Sequence, residues 1–345
     1  MTRWAGILAG GVGSRFWPVS SPSRPKQLLP LATREPMLAD ALARLAPLVP
    51  AERTLVLTNA GLVDAIAALA PSLPRENLIA EPRPAGTAAA LAWAAHEIER
   101  RAGSDAVMLS VHADWAIGDA AEFRNALMRA ASAAEEHEAL VTVGVVPVRP
   151  DPGFGYIQPG AELADGVRRV ARFVEKPSRE RAEVMVRDGF LWNSGIFVWR
   201  VGDFLGELRA HTPEVAPQLA AHADDLGAFF AAVSGGIAVD VGVLERSDRV
   251  LVLPGDFGWD DVGTWGALKR VRQCDDEGNA LSGLVHALES RDNVVHADGN
   301  AVVLYGVRDL VVVTRDGLTL VTTVDKASDL KTLIQSLPTS VRDKE

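Results

Sequence analysis

Residues 8–27 read LAGGVGSRFWPVSSPSRPKQ, and they follow an apolar run, Trp4–Ala9, of strand length. A strand that ends at Leu8 and opens into Gly10, Gly11 and Gly13 leaves backbone N–H groups free to converge on phosphate oxygens, with no Cβ in the way. Arg15 adds a planar cation suited to a polyphosphate and to charge developing at a reacting phosphorus. Pro18, Pro22 and Pro25 stiffen the excursion that returns Lys26 to the same anion. Two common phosphate loops are excluded. No GK[ST] follows, so this is not a Walker A loop, and Phe16 stands where a dinucleotide fingerprint needs its third glycine.

Outward from this loop, β-rich runs alternate with Ala/Leu-rich stretches of helical period. Thr54–Thr58, Ala106–Val111 and Leu140–Val145 read as strands; Gly61–Ala70, Gly86–Arg101 and Ala120–Glu136 read as helices. That alternation predicts a doubly wound α/β domain on a mostly parallel, mixed sheet. After about residue 150 the texture changes to short strands broken by Gly, Pro and aromatics, as an insertion carrying substrate contacts would be. Ser247–Leu253 returns to strand and Val262–Val271 to helix. From about residue 280, short strands (Asn293–His296, Ala301–Leu304, Asp309–Thr314 and Leu318–Val321) are separated by DGN, GVRD and RDG turns. A helix over Asp325–Leu337 ends the pattern. The expected division is a catalytic domain over 1–275 and a small β-rich domain over 280–345.

Composition narrows the function classes. With 48% hydrophobic and 23% charged residues in 345, the chain has the make-up of a soluble protein. A net charge of −10 argues against nucleic acid as a partner, so a phosphate-bearing substrate must be met by a few positioned cations. The single Cys274 excludes an internal disulfide and fits a reducing cytoplasm. The start, MTRWAGILAGG, is too short an apolar run for a signal peptide, and no run of about 18 apolar residues reaches across a membrane. The seven histidines have no zinc-binding spacing.

In chain order, GGxGxRxWPxS…PKQ is followed by EP…TA, FGYI, EKP, WNSGIF and WxDVGxW. This series resembles the mannose-1-phosphate guanylyltransferases, from about residue 4 to 266. The resemblance implies a nucleotide-diphospho-sugar transferase core with a left-handed β-helix-like tail. It also implies an in-line displacement in which a sugar 1-phosphate attacks the α-phosphorus of a nucleoside triphosphate. GTP and mannose 1-phosphate are the implied substrates and Mg²⁺ the implied cofactor. Two anions that approach each other need a cation and fixed positive charge. Asp114 and Asp261, the latter in WDDVG, match the family's metal-binding aspartates, and carboxylates are the right hard ligands. Beside them, Trp115 stands where the family usually has His, and Asp260 reads as an outer partner or a merely solvated group.

For the sugar phosphate, the resemblance implies that Lys176 neutralises the attacking phosphate and Glu175 accepts from sugar hydroxyls. Asn193 and Gly195 in WNSGIF, with Gly155 and Tyr156 in FGYI, would line the sugar. Asp240 and Glu245, in DVGVLE, take a supporting role. Arg15, Lys26 and Lys176 are thus the candidate catalytic residues. Glu81 is the candidate base reader, because guanine presents N1–H and N2–H₂, adjacent donors that one carboxylate accepts well. Gly86 and Thr87 are expected beside it, although EPRPAGTA has Ala85–Gly86 where an Arg–Asn pair is common in the family. Three other readings compete: transfer to another hexose or heptose 1-phosphate, a non-catalytic sugar-nucleotide sensor, and a nicotinamide oxidoreductase already weakened by Phe16. The short-stranded tail offers a surface for a homodimer. No cupin-like segment follows it, so a second, isomerase activity is not expected.

Overall fold

Residues 3–8 alternate poorly between apolar and polar, and the reason is burial on both faces: every residue of β1 (Arg3–Leu8) after Arg3 is buried. The same holds along β2 (Thr54–Asn59) up to its last residue and throughout β6 (Leu140–Val145). The computed structural model describes residues 1–11 and 14–342. The expected Gly13 contact lies outside those residues.

The other strands of the main sheet are β3 (Leu78–Glu81), β4 (Val107–His112), β7 (Tyr156–Glu162), β8 (Arg168–Val174), β9 (Leu191–Arg200) and β10 (Val250–Gly255). Two-residue strands, β5 (Ala116–Ile117) and β11 (Trp259–Asp260), stand apart from it. The nine-stranded order is β3-β2-β1-β4-β9-β6-β10-β8-β7. The run from β3 to β4 is parallel, β9 is antiparallel to both β4 and β6, and β10 is again parallel to β6. The doubly wound mixed sheet is therefore present. At β1 the chain order reverses, with β2 on one side and β4 on the other. In such sheets the crevice beyond the strand ends at this switch point is where ligands bind, and Gly10 and Gly11 leave β1 there.

Helix α3 (Gly86–Ala102) buries an unbroken alanine-rich stretch, Ala88–Ala95, against a cluster that includes Leu8, Leu57, Met108, Trp199 and Phe204. Small side chains let the helix lie close to the strands. Helix α4 (Ala120–His137) is N-capped by Asp119, whose carboxylate accepts from the Ala121 and Glu122 amides at 2.9 Å, and it packs on β6 and β9. Among the described residues, no helix is long and apolar enough to cross a membrane.

The chain divides into two compact units. The first holds 1–10, 42–113 and 119–259; the second holds 11–41, 114–118 and 260–345. This grouping differs from a division at 275–280, and packing explains it. Phe16, Val19, Leu29 and Leu31 share one buried cluster with Val262, Trp265, Leu268, Val311, Leu320 and Leu330. Phe16, the residue that breaks the dinucleotide fingerprint, meets Trp265 edge-on at 5.1 Å, and Trp265 Nε1 donates to the Trp17 carbonyl.

Within the second unit the C-terminal strands are β12 (Ala280–Ser282), β13 (Val285–Leu288), β14 (Val294–Ala297), β15 (Val302–Tyr305), β16 (Leu310–Arg315) and β17 (Leu318–Thr323). β12, β14 and β16 are parallel neighbours, as are β13 and β15. Asn279 and Asn293 tie successive turns: Asn279 Oδ1 accepts from Asn293 N, and Asn293 Oδ1 accepts from Leu310 N, each at 3.0 Å. β16 and β17 then form an antiparallel hairpin. These pairings do not establish the left-handed β-helix-like tail the resemblance implied; the tail is a small β domain of two sheets, parallel except for this hairpin. The expected helix over 262–271 is shorter, a 3₁₀ turn at Trp265–Ala267 running into a turn of α-helix at Leu268–Val271.

Candidate active site

Lys26 stands at the centre of the residues expected to meet the phosphates. Its side chain is 8% exposed, and its ammonium donates to Asp114 Oδ2 at 3.0 Å and to the main-chain carbonyl of Asp261. Two aspartates 147 positions apart (261 − 114) are thereby gathered on one cation. Pro25 sets the extended entry to the 3₁₀ turn Lys26–Leu28 that carries this lysine. Gln27 Nε2 donates to the Gly11 carbonyl at 3.0 Å, which ties Gly11 to the same turn. Arg15 is exposed on the 3₁₀ turn Ser14–Phe16. Its Nη1 lies 3.3 Å from where a Cβ on Gly263 would stand, and Asp261 Oδ2 lies 2.8 Å from that same point. Arg15 and the Asp261 carboxylate thus both flank the place a Gly263 side chain would fill. Gly11, Arg15, Lys26, Asp114 and Asp261 all belong to the second unit.

Among the described residues, no group of three or more His, Cys, Asp or Glu gathers as a metal cage. A hard divalent ion that is also held by substrate phosphates needs only one or two protein carboxylates. Asp114 brings its carboxylate and Asp261 its main-chain carbonyl to one ammonium, and the side chains of this pair are hard oxygen donors of the type that requirement names. Asp260 is not solvated. It is 5% exposed and forms a forked ion pair with Arg270 at 2.6 and 3.1 Å.

In the first unit, Leu8 is buried at the end of β1, and Gly10 follows it with Glu81 Oε1 3.6 Å from the position of an added Cβ. Glu81 ends β3, and burial pushes its pKa from 4.5 up to about 7. Gly86 opens α3 at φ +82, and a Cβ there would meet the Ile237 carbonyl oxygen at 2.3 Å. Only glycine fits. Thr87 Oγ1 accepts from the Val239 amide at 2.9 Å, so this hydroxyl's first duty is to tie α3 to the 237–239 segment.

The residues expected to line the sugar converge around Gly155. A Cβ there would stand 2.8 Å from Glu175 Oε2 and 3.4 Å from Asn193 Cβ, and the Gly155 carbonyl accepts from the Asn193 amide. Asn193 Nδ2 donates to Asp240 Oδ1 at 2.5 Å, while its Oδ1 accepts from Gly195 N, a glycine at φ +76. Lys176, at φ +41, pairs with Glu175 at 2.6 Å, both side chains more than half exposed. Tyr156 does not line an open wall. Its ring is fully buried and its hydroxyl donates to the Asp151 carbonyl at 3.1 Å.

Sequence reasoning gives Asp240 only a supporting role and passes over His112. Asp240 starts a π-helical turn, a distortion frequent at functional sites. Burial raises its pKa, the Asn193 bond and the His112 imidazole oppose that, and the Glu175 charge adds to it. Glu245 is raised too, by burial first and then by Asp240 and Glu175. The hint for His112 is its place at the C-terminal end of β4, two residues before Asp114.

Comparison with known proteins agrees with this chemistry. A model of the nucleotidyl transferase family matches residues 5–278. The chain is 36% identical to the mannose-1-phosphate guanylyltransferase of Klebsiella pneumoniae, across 97% of its own length and 74% of that protein's. A protein of the same name from Escherichia coli gives the same figures. A crystal structure described as mannose-1-phosphate geranyltransferase from Thermus thermophilus superposes with a TM-score of 0.89 at 35% identity, covering 97% of this chain and 99% of that one. The chain belongs to the nucleotidyl transferase family, in the branch that contains the mannose-1-phosphate guanylyltransferases.

Proposed function

We propose that this chain transfers GMP from GTP to mannose 1-phosphate with Mg²⁺, giving GDP-mannose and pyrophosphate. An oxygen of the sugar phosphate forms a bond to the α-phosphorus of GTP. The bond from that phosphorus to the bridging oxygen breaks, and pyrophosphate leaves with the electron pair. Bound Mg²⁺ would supply charge neutralisation at the phosphates, held by Asp114 and Asp261. Amides along Leu8, Gly10 and Gly11 would cradle the triphosphate, and Arg15 would meet the charge that builds during displacement. Glu81 would accept from guanine N1–H and N2–H₂, next to Gly86 and Thr87. Glu175, Asn193, Gly155 and Gly195 would hold the sugar, and Lys176 its phosphate.

The observation that carries this reading is Lys26, buried and bonded to both metal-candidate aspartates in a chain whose relatives bear the guanylyltransferase name. Pyrophosphate release with Mg²⁺, measured over a matrix of nucleoside triphosphates and sugar 1-phosphates, tests it. GTP with mannose 1-phosphate should give the highest kcat/KM. A better pair moves the substrate assignment, and no release with any pair refutes nucleotidyl transfer.

A further inference from the structure

Asp261 makes two different contacts from one residue: its carbonyl faces Lys26, and its carboxylate lies over Gly263 towards Arg15. The backbone that achieves this is unusual. Val262 has φ +46 although it is β-branched, a strained conformation that persists only where neighbours over-determine it. Its side chain is wholly buried in the cluster with Phe16, Trp265 and Leu268. Its amide donates to Asp260 Oδ1 at 2.9 Å. The same carboxylate takes the fork of Arg270, from Nε at 2.6 Å and Nη2 at 3.1 Å. Arg270 stands on the short helix Leu268–Val271, anchored through buried Leu268.

We infer that Asp260 and Arg270 are positioning residues for the cation site, holding the strained turn that aims Asp261. The inference rests on the proposed metal role of Asp261. A planar guanidinium fixes both oxygens of Asp260, and one of those oxygens fixes Val262. Asp261 lies between the two, so the main chain from which its carboxylate projects is held on both sides.

Mn²⁺ binding to the protein, alone and with GTP present, followed by the paramagnetic resonance signal of free Mn²⁺, tests this without turnover, and a parent chain that takes up no Mn²⁺ in either state overturns the proposal. Asp261→Asn should abolish the bound fraction; if binding survives there, the ion sits elsewhere and the proposal is overturned. Arg270→Gln should weaken Mn²⁺ binding by at least about tenfold, the effect usual for partners that orient metal ligands. Asp260→Asn, which keeps an acceptor for the Val262 amide, should weaken it less. If Arg270→Gln does not fold, Arg270→Lys keeps the charge without the fork and carries the same expectation. Variants that melt at lower temperature yet bind Mn²⁺ as the parent does would make the pair a staple only, and overturn the proposal. A parent chain that binds Mn²⁺ through Asp261 but releases no pyrophosphate would count against nucleotidyl transfer and leave the positioning role standing.

Discussion

Glu81→Gln separates what a half-buried carboxylate does to the fold from what it does for a base. The wild-type group titrates at about 7 in the folded chain against 4.5 ordinarily, because burial disfavours its charge. Between those values the folded chain keeps a proton that the unfolded chain has released. The group therefore costs nothing well below pH 4.5, and its penalty grows as pH rises through 7. A shift of this size amounts to about 3 kcal/mol at pH 8 and under about 1 kcal/mol at pH 5. Glutamine stays neutral, so the variant should be more stable than wild type at pH 8 by up to that amount, and nearly equal at pH 5. Paired urea unfolding curves at the two pH values measure the difference directly, since every other titration cancels between the chains.

Function should move the opposite way. Only the ionised carboxylate accepts from both guanine donors, and with a pKa near 7 about a tenth is ionised at pH 6 and about nine-tenths at pH 8. The KM for GTP in wild type should then rise about tenfold from pH 8 to pH 6. In the variant that slope should vanish, and preference for GTP over UTP should fall by about 1–3 kcal/mol, roughly 5- to 150-fold. A stability difference that is the same at both pH values would refute the half-buried, ionising Glu81. A GTP preference untouched by the substitution would refute its role as base reader.

Three further outcomes are expected. Lys176→Ala should raise the KM for mannose 1-phosphate about tenfold with the melting temperature unchanged, because its exposed pair with Glu175 adds little to stability; steady-state kinetics and calorimetry check both. Gly86→Ala places a Cβ 2.3 Å from the Ile237 oxygen at φ +82, so chemical denaturation should show a loss of about 2–4 kcal/mol. His296, desolvated and facing Arg272 and Arg24 with only Asp298 in compensation, is pushed down from 6.5 to about 4. Its contribution is complete above pH 6.5 and is lost as pH falls towards 4, at most about 3 kcal/mol, a dependence that His296→Gln should flatten in unfolding curves taken across that range.

Whatever local pattern dictates is legible in the sequence. The β1-to-glycine-loop transition, the alternating helices and strands, and most tail strands follow from periodicity and turn chemistry. Strand β3 escapes such a reading because LIAE is four residues long and shows no alternation. The regrouping of residues 11–41 with the tail is invisible for a different reason. An apolar residue announces that it will be buried, not against what, and Phe16 gives no sign that its partner is Trp265. Tyr156 misleads on similar grounds: a tyrosine among glycines reads as a sugar wall, while its hydroxyl has a main-chain acceptor five residues back. Asp260 looks like a surplus carboxylate beside Asp261 because its cation, Arg270, is identified only by the turn that brings it round.

Lys26 shows why the site is more legible than its support. A buried ammonium has to exchange water for acceptors, and holding it beside a single carboxylate is a poor use of a core position for stability alone. Methionine would fill that volume without the desolvation cost. Lysine has three donors, and among the described residues two are committed, one to Asp114 and one to the Asp261 carbonyl. The remaining donor is what a phosphate oxygen would take, beside Gly11, which Gln27 ties to the same turn. Chemistry of that kind constrains residue type at a position, so it leaves a mark that a single sequence displays. The Val262 turn constrains only geometry, which many sequences can supply, and it surfaces only once the backbone angle is known.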